Sequence, residues 1–161
     1  MRFGIVGAGV IGQLRAQSIK EHPSTDLVAV LDPSAAAAAK AVAGTSARAV
    51  STLDEFLKIE MDAVIVSSPP HLHEESCLGA LERGRHVLCE KPLSNTLDAS
   101  RRILDAAEEA GLALAVGSFF LHTWNDFAVA WTFWPLAGAM LGLAVARARE
   151  REAPSLPAQP S

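Results

Sequence analysis

Apolar residues in this chain gather into short unbroken runs, and between the runs they recur at helical spacing. That alternation is the one expected of βαβ units around a parallel sheet. Arg2–Val6, Leu27–Leu31, Ala63–Ser67, His86–Cys89 and Leu112–Val116 read as strands, with Arg48–Val50 as a weaker one. Val10–Glu21, Ala35–Ala43, Leu53–Lys58, His73–Arg83 and Leu97–Ala110 read as the helices between them. Gly44, Gly84 and Gly111 stand where three of those helices would stop. Together the elements predict a complete α/β domain, a doubly wound parallel sheet of Rossmann type, over residues 1–118.

Beyond it the pattern changes. Residues 127–146 carry no charge and include Trp131, Phe133 and Trp134. A run of about 20 such residues meets the length of a membrane span, and Arg147, Arg149 and Arg151 would flank it. Pro135, Gly138, Gly142 and the high alanine content favour a soluble segment instead. An apolar surface of that size recruits a partner or self-associates when left uncovered, so a homo-oligomer is expected. Residues 153–161, rich in proline and serine, read as a disordered tail.

Composition narrows the function. At 161 residues the chain holds one domain, or one domain and a fragment. The formal net charge of -4, without any lysine- or arginine-rich block, argues against a nucleic-acid partner, whose phosphates need clustered cations. Cys77 and Cys89 have neither metal-ligand spacing nor a CxxC partner and read as reduced cytoplasmic thiols. Met1–Val6 is too short an apolar run for a secretory signal.

Three constellations carry candidate chemistry. The first is Gly7-Ala8-Gly9-Val10-Ile11-Gly12, a GxGxxG between a strand and a helix. Gly7 permits the tight turn, Gly9 admits a pyrophosphate to the backbone, and Gly12 lets helix and strand pack closely. The pyrophosphate would sit on the free N–H groups at the positive end of the helix, beside Val10 and Ile11. Asp32 follows the second strand about 20 residues beyond Gly12, where a carboxylate accepts from ribose hydroxyls and repels a 2′-phosphate. This favours NAD over NADP; Asp32 also suits the turn before Pro33. The second constellation is Ser68-Pro69-Pro70-His71-Leu72-His73, a loop at the carboxyl end of a strand and so facing the ligand crevice. One HxH pair without carboxylate or cysteine partners is a poor metal site, and His73 reads as the start of a helix. The third is Cys89-Glu90-Lys91-Pro92. Lys91 at a strand's carboxyl edge can bind a substrate hydroxyl or polarise a carbonyl, with Glu90 orienting the ammonium and Pro92 fixing the exit, or the pair is a solvated one. Cys89 reads as strand packing, because no base lies near it in the sequence.

With these in order, the chain resembles the glucose-fructose oxidoreductase / inositol dehydrogenase (Gfo/Idh/MocA) family. The residues that carry the resemblance are GIVGAGVIG, DAVIVSSPPHLHEESCLGALERGRHVLCEKPLS and AAEEAGLALAVGS, which cover residues 1 to about 118. It implies that Gly7, Gly9, Gly12 and Asp32 hold the cofactor and that Ser68, Pro69 and His73 line its nicotinamide side. Glu90, Lys91 and Pro92 would be the EKP motif, with Lys91 contacting cofactor and substrate. Members move hydride between a nicotinamide and a sugar, cyclitol or related carbinol. They are usually about twice this length, with a second α/β domain supplying the substrate pocket and a further proton carrier. Residues 119–152 match only the start of that domain, Leu143–Arg149 resembling its first strand, and Phe119-Phe120-Leu121-His122 lacks the arginine expected there. Two readings therefore stand: an oxidoreductase or its cofactor-binding part, and a non-catalytic dinucleotide-binding module or subunit.

Overall fold

Six strands alternate with helices in a single parallel sheet, in the computed structural model that describes residues 1–117. The segments 119–152 and 153–161, with the uncharged run 127–146 and His122, lie outside those residues. The elements are β1 (Arg2–Val6), α1 (Val10–Glu21), β2 (Asp26–Leu31), α2 (Ala35–Val42), β3 (Arg48–Val50), α3 (Leu53–Leu57) and β4 (Ala63–Val66). A 3-10 turn (Pro70–Leu72) leads into α4 (His73–Leu81), followed by β5 (His86–Glu90), α5 (Leu97–Glu109) and β6 (Leu114–Gly117). The strand order is β3-β2-β1-β4-β5-β6 with every pair parallel. The order reverses between β1 and β4, and in a doubly wound sheet a ligand crevice opens at that point, outside the carboxyl ends of the strands.

The unbroken apolar runs are explained by burial on both faces. Val6, Leu31, Val64 and Val66 point into one core with Phe56, Leu81, Ile103 and Ala107 from α3, α4 and α5. Their neighbours Ile5, Val30 and Ile65 point into the opposite core with Ala16 and Ile19 of α1 and Ala38 and Ala41 of α2. Side chains alternate faces along a strand, so each strand feeds both cores. Ser34, Thr52 and Thr96 cap α2, α3 and α5, their hydroxyls accepting from Ala37, Glu55 and Ala99 N–H respectively. No described helix is long and apolar enough to cross a membrane.

Element boundaries differ from the sequence expectation where helices terminate. Helix α4 ends at Leu81, not Arg83, because Gly84 N–H donates to Leu81 and Arg85 N–H to Ala80, the paired bonds of a Schellman cap. The same closure at α5, Gly111 N–H to Glu108 and Leu112 N–H to Ala107, consumes the residues expected to open β6. That strand therefore begins at Leu114. The turn Pro70–Leu72 was not expected as an element; Pro70 begins it, where a missing N–H costs nothing.

Gly7 and Gly12 set how closely α1 approaches the sheet. Gly7 has φ +92°, and a Cβ there would lie 2.6 Å from Ser68 N. A Cβ on Gly12 would lie 1.9 Å from the Gly7 carbonyl oxygen. Replacement of Gly12 by alanine must therefore push α1 off β1. Gly12→Ala is expected to cost about 1–3 kcal/mol or more, as overpacking does. Urea denaturation measures it, and an unchanged midpoint would mean that this helix does not lie so close.

Candidate functional site

The carboxyl ends of β1, β2, β4 and β5 bring all three sequence constellations to one edge of the sheet. At the end of β1 the chain turns through Gly7, whose N–H donates to Leu31 O (2.8 Å) and whose carbonyl accepts from Ser67 Oγ (2.8 Å). Gly9 is the N-cap of α1 and brings no side-chain cap, and the first turn holds no acidic residue. The leading N–H groups thus face the crevice at the positive end of the helix, the arrangement that receives an anion. The three glycines divide by function. Cβ atoms on Gly7 and Gly12 would strike backbone, whereas one on Gly9 would meet no atom within 4 Å. Gly9 is therefore not required by packing, and its bareness keeps the crevice side of the turn open to a pyrophosphate. Val10 is largely exposed beside it and Ile11 is half-buried.

Asp32 leaves β2 towards the same turn. Its Oδ2 accepts from Ala8 N–H at 2.7 Å and its Oδ1 from Ser34 N–H at 2.8 Å. The carboxylate thereby ties the glycine turn to β2, and each oxygen keeps a further lone pair for a ribose hydroxyl. The turn expected before Pro33 is the one that Oδ1 closes, onto Ser34 N–H. Beyond it a cavity of about 250 Å³ opens, lined by Asp32, Ala35, Ala38, Val50, Ser51 and Glu55.

The loop after β4 and the exit of β5 form the opposite wall. Pro69, Lys91 and Pro92 are exposed there, and the Lys91–Pro92 peptide bond is cis. The Ser68 hydroxyl is buried without a hydrogen-bond partner among the described residues, leaving a donor beside the glycine turn. His73 does not line the wall itself. Its ring, 1% exposed, stands behind both loops, with Nε2 2.7 Å from Ser68 O and Nδ1 3.0 Å from Pro92 O. Both nitrogens being engaged, the ring has none to offer a metal. No group of three or more potential ligands gathers among the described residues.

Two further sequence expectations are corrected. Glu90 does not orient Lys91: its Oε1 accepts from both Arg15 Nε (2.9 Å) and Arg15 Nη2 (2.6 Å), a charge-assisted pair that fastens α1 to β5. Arg15 was not singled out in the sequence, and only its place one turn past Gly12 could have suggested it. Cys89 does have a base beside it: His73 Nδ1 lies 3.2 Å from its sulfur. Sequence distance hid the pair, because His73 comes from α4 and Cys89 from β5. The neighbouring Cys77 thiol, and then His73, hold the Cys89 pKa down to about 6 against the opposing effect of burial. Cys89 in turn, then burial, pushes Cys77 upward. Burial alone would lower His73, but its contacts with Cys89, Ser68 O and Pro92 O raise it.

The fold and the glycine turn, with Asp32 tied to it, define a dinucleotide-binding Rossmann domain. Residues 1–118 match the model of the GFO_IDH_MocA family, described as an oxidoreductase family with an NAD-binding Rossmann fold. The chain belongs to that family. It is 41% identical over 123 residues to inositol 2-dehydrogenase 4 of Saccharopolyspora erythraea, covering 74% of this chain and 36% of that one. It is 37% identical over 115 residues to 1,5-anhydro-D-fructose reductase of Ensifer adhaerens, covering 70% and 34%. Among solved structures it is similar to the WlbA dehydrogenase of Bordetella pertussis in complex with NADH and UDP-GlcNAcA. That match has a TM-score of 0.67 at 34% identity and covers 72% of this chain and 34% of the other. The chain thus spans about a third of the length of these relatives.

Because a Cβ on Gly9 would meet no protein atom, Gly9→Ala separates packing from cofactor binding. Its urea midpoint should stay within about 0.5 kcal/mol of the parent, while NADH affinity falls about tenfold or more. Equal NADH affinity, read by its fluorescence, would mean the pyrophosphate does not lie against this turn.

Proposed function

We propose that this chain is the cofactor-binding part of an oxidoreductase that moves hydride between a nicotinamide and the carbinol carbon of a sugar or cyclitol. The observation that carries the reading is Lys91, an exposed lysine at the carboxyl end of β5 on the same edge as the glycine turn. Glu90 beside it is already neutralised by Arg15, so the Lys91 ammonium is left to act on a ligand. The printed activities of the relatives, on inositol and on anhydrofructose, support a polyol or sugar as substrate.

NAD, when bound, supplies the hydride acceptor. The N–H groups of the first turn of α1 hold the pyrophosphate, and Asp32 holds the adenosine ribose. Pro69, the Ser68 hydroxyl and the exit of β5 bound the nicotinamide side. Lys91 donates to the substrate oxygen, orients the carbinol and favours the alkoxide as its proton leaves. A second proton carrier from the remainder of the substrate pocket would complete acid–base catalysis. Asp32 supports NAD over NADP, because its charge meets the position of a 2′-phosphate. The uncharged run 127–146 supports self-association into a homo-oligomer. The two unpaired buried thiols support a cytoplasmic site of action.

Saturable NADH binding with weaker NADPH binding is the expected result. None at millimolar concentration would sink the cofactor assignment. Asp32→Ala should weaken NADH, narrow the preference, and cost about 1–3 kcal/mol of stability, because Ala8 N–H loses its acceptor. Lys91→Ala should abolish any inositol- or sugar-dependent NAD reduction and leave NADH binding intact. Turnover retained in that variant would remove Lys91 from the mechanism. Binding without turnover in the parent would favour the non-catalytic module.

A further inference from the structure

We propose that Arg15 is a positioning residue, whose pairing with Glu90 sets the span between the pyrophosphate turn and the nicotinamide wall of the crevice. The inference deepens the NAD-site reading and rests on it.

The two ends of that span belong to elements that share no ladder. The pyrophosphate turn opens α1, whereas Lys91 leaves β5. In the sheet, β4 separates β5 from β1, the strand that leads into α1. The helix packs chiefly on β1, β2 and α2. Its buried residues are Gly12, Ala16 and Ile19, while Val10 and Leu14, nearer the crevice, are 79% and 52% exposed. Apolar burial is thus weighted toward the body of the helix, away from the end that receives the pyrophosphate.

A polar contact makes the direct link to β5. Strand alternation puts Glu90 on the same face as Leu88, which packs against the core shared by α1 and α2. Cys89, between them, points into the other core. Helical side chains lean toward the N-terminus, so Arg15 projects to the crevice end of α1, where β5 also ends. There Glu90 Oε1 accepts from Arg15 Nε at 2.9 Å and from Nη2 at 2.6 Å.

The Glu90 side chain is 14% exposed and that of Arg15 38%. Partly withdrawn from water, the pair is screened less than a surface one. Loss of Arg15 would leave a largely buried carboxylate uncompensated, and Glu90 would have to move to find water or another cation. Lys91 is the next residue in the chain, so that movement displaces the wall on which the nicotinamide rests. Through Glu90, the exit of β5 is referred to the same helix that carries the pyrophosphate N–H groups.

ADP-ribose separates this role from others, because it carries the adenosine, the pyrophosphate and the second ribose without the nicotinamide. Calorimetry gives the NADH and ADP-ribose affinities of the full chain, of Arg15→Gln, Glu90→Gln, their double variant and Arg15→Lys, with urea denaturation checking that each is folded. The parent should bind NADH more tightly than ADP-ribose. Arg15→Gln and Glu90→Gln should each weaken NADH about tenfold and move ADP-ribose by less than about threefold. The double variant should be no worse than either single one, since the two changes remove one contact. Arg15→Lys, which keeps the charge without the two-donor grip, should fall between the parent and Arg15→Gln. If Arg15→Gln does not fold, Glu90→Gln and Arg15→Lys carry the test. Equal loss of both ligands would mean that Arg15 acts on the pyrophosphate or on the fold at large. That result, NADH affinity unmoved in the variants, or a parent that binds both ligands alike overturns the positioning role and leaves the dinucleotide site standing. A parent that binds neither ligand overturns the cofactor reading and this inference with it.

Discussion

The site depends on the close approach of α1 to the end of β1. A helix N-terminus can receive a pyrophosphate only if its first N–H groups stand at the crevice, directly above the strand ends. Gly12 against the Gly7 carbonyl sets that distance, and Gly7 itself is wedged against the backbone of Ser67 and Ser68. No side chain fits at either place. Packing therefore explains two of the three glycines before any ligand is considered, and Gly9 alone is free of packing demands.

Once α1 is so placed, long-range polar ties hold the other strand ends to it. Asp32 fastens β2 to the turn through Ala8 N–H, and Arg15 fastens β5 to α1 through Glu90. His73 fastens the loop after β4 to the exit of β5. Arg15–Glu90 joins helix to strand, and His73 runs from the first turn of α4 to two loops, which is how a rigid scaffold gives precise geometry to irregular segments. The ties also sort the charges. Glu90 and Glu74 are neutralised by arginines, while Lys91 is left at the rim for a ligand.

The fold was legible in the sequence because doubly buried strands leave continuous apolar runs and because glycine ends helices. Arg2–Val6, Val10–Glu21 and Arg48–Val50 have the bounds their patterns imply. Misplaced ends, at α4 and before β6, come from Schellman closures that draw the residues after the glycine back onto the helix. Within the site, Gly7, Gly9, Gly12 and Asp32 were readable because local spacing dictates their geometry. Arg15–Glu90 and His73–Cys89 were not, since partners 75 and 16 residues apart meet only after the sheet has formed. Glu90 beside Lys91 looked like a partner by adjacency, and a stronger fork-shaped donor on another element displaced that reading.

The central claim is that the glycine turn and Asp32 together hold a nicotinamide dinucleotide. A crystal structure of the chain with NADH tests it most directly. The account predicts pyrophosphate oxygens at about 3 Å from N–H groups of the first turn of α1, adenosine ribose hydroxyls on Asp32, and the nicotinamide between Pro69 and Lys91. A dinucleotide bound elsewhere, or one whose pyrophosphate avoids the N-terminus of α1, would contradict it.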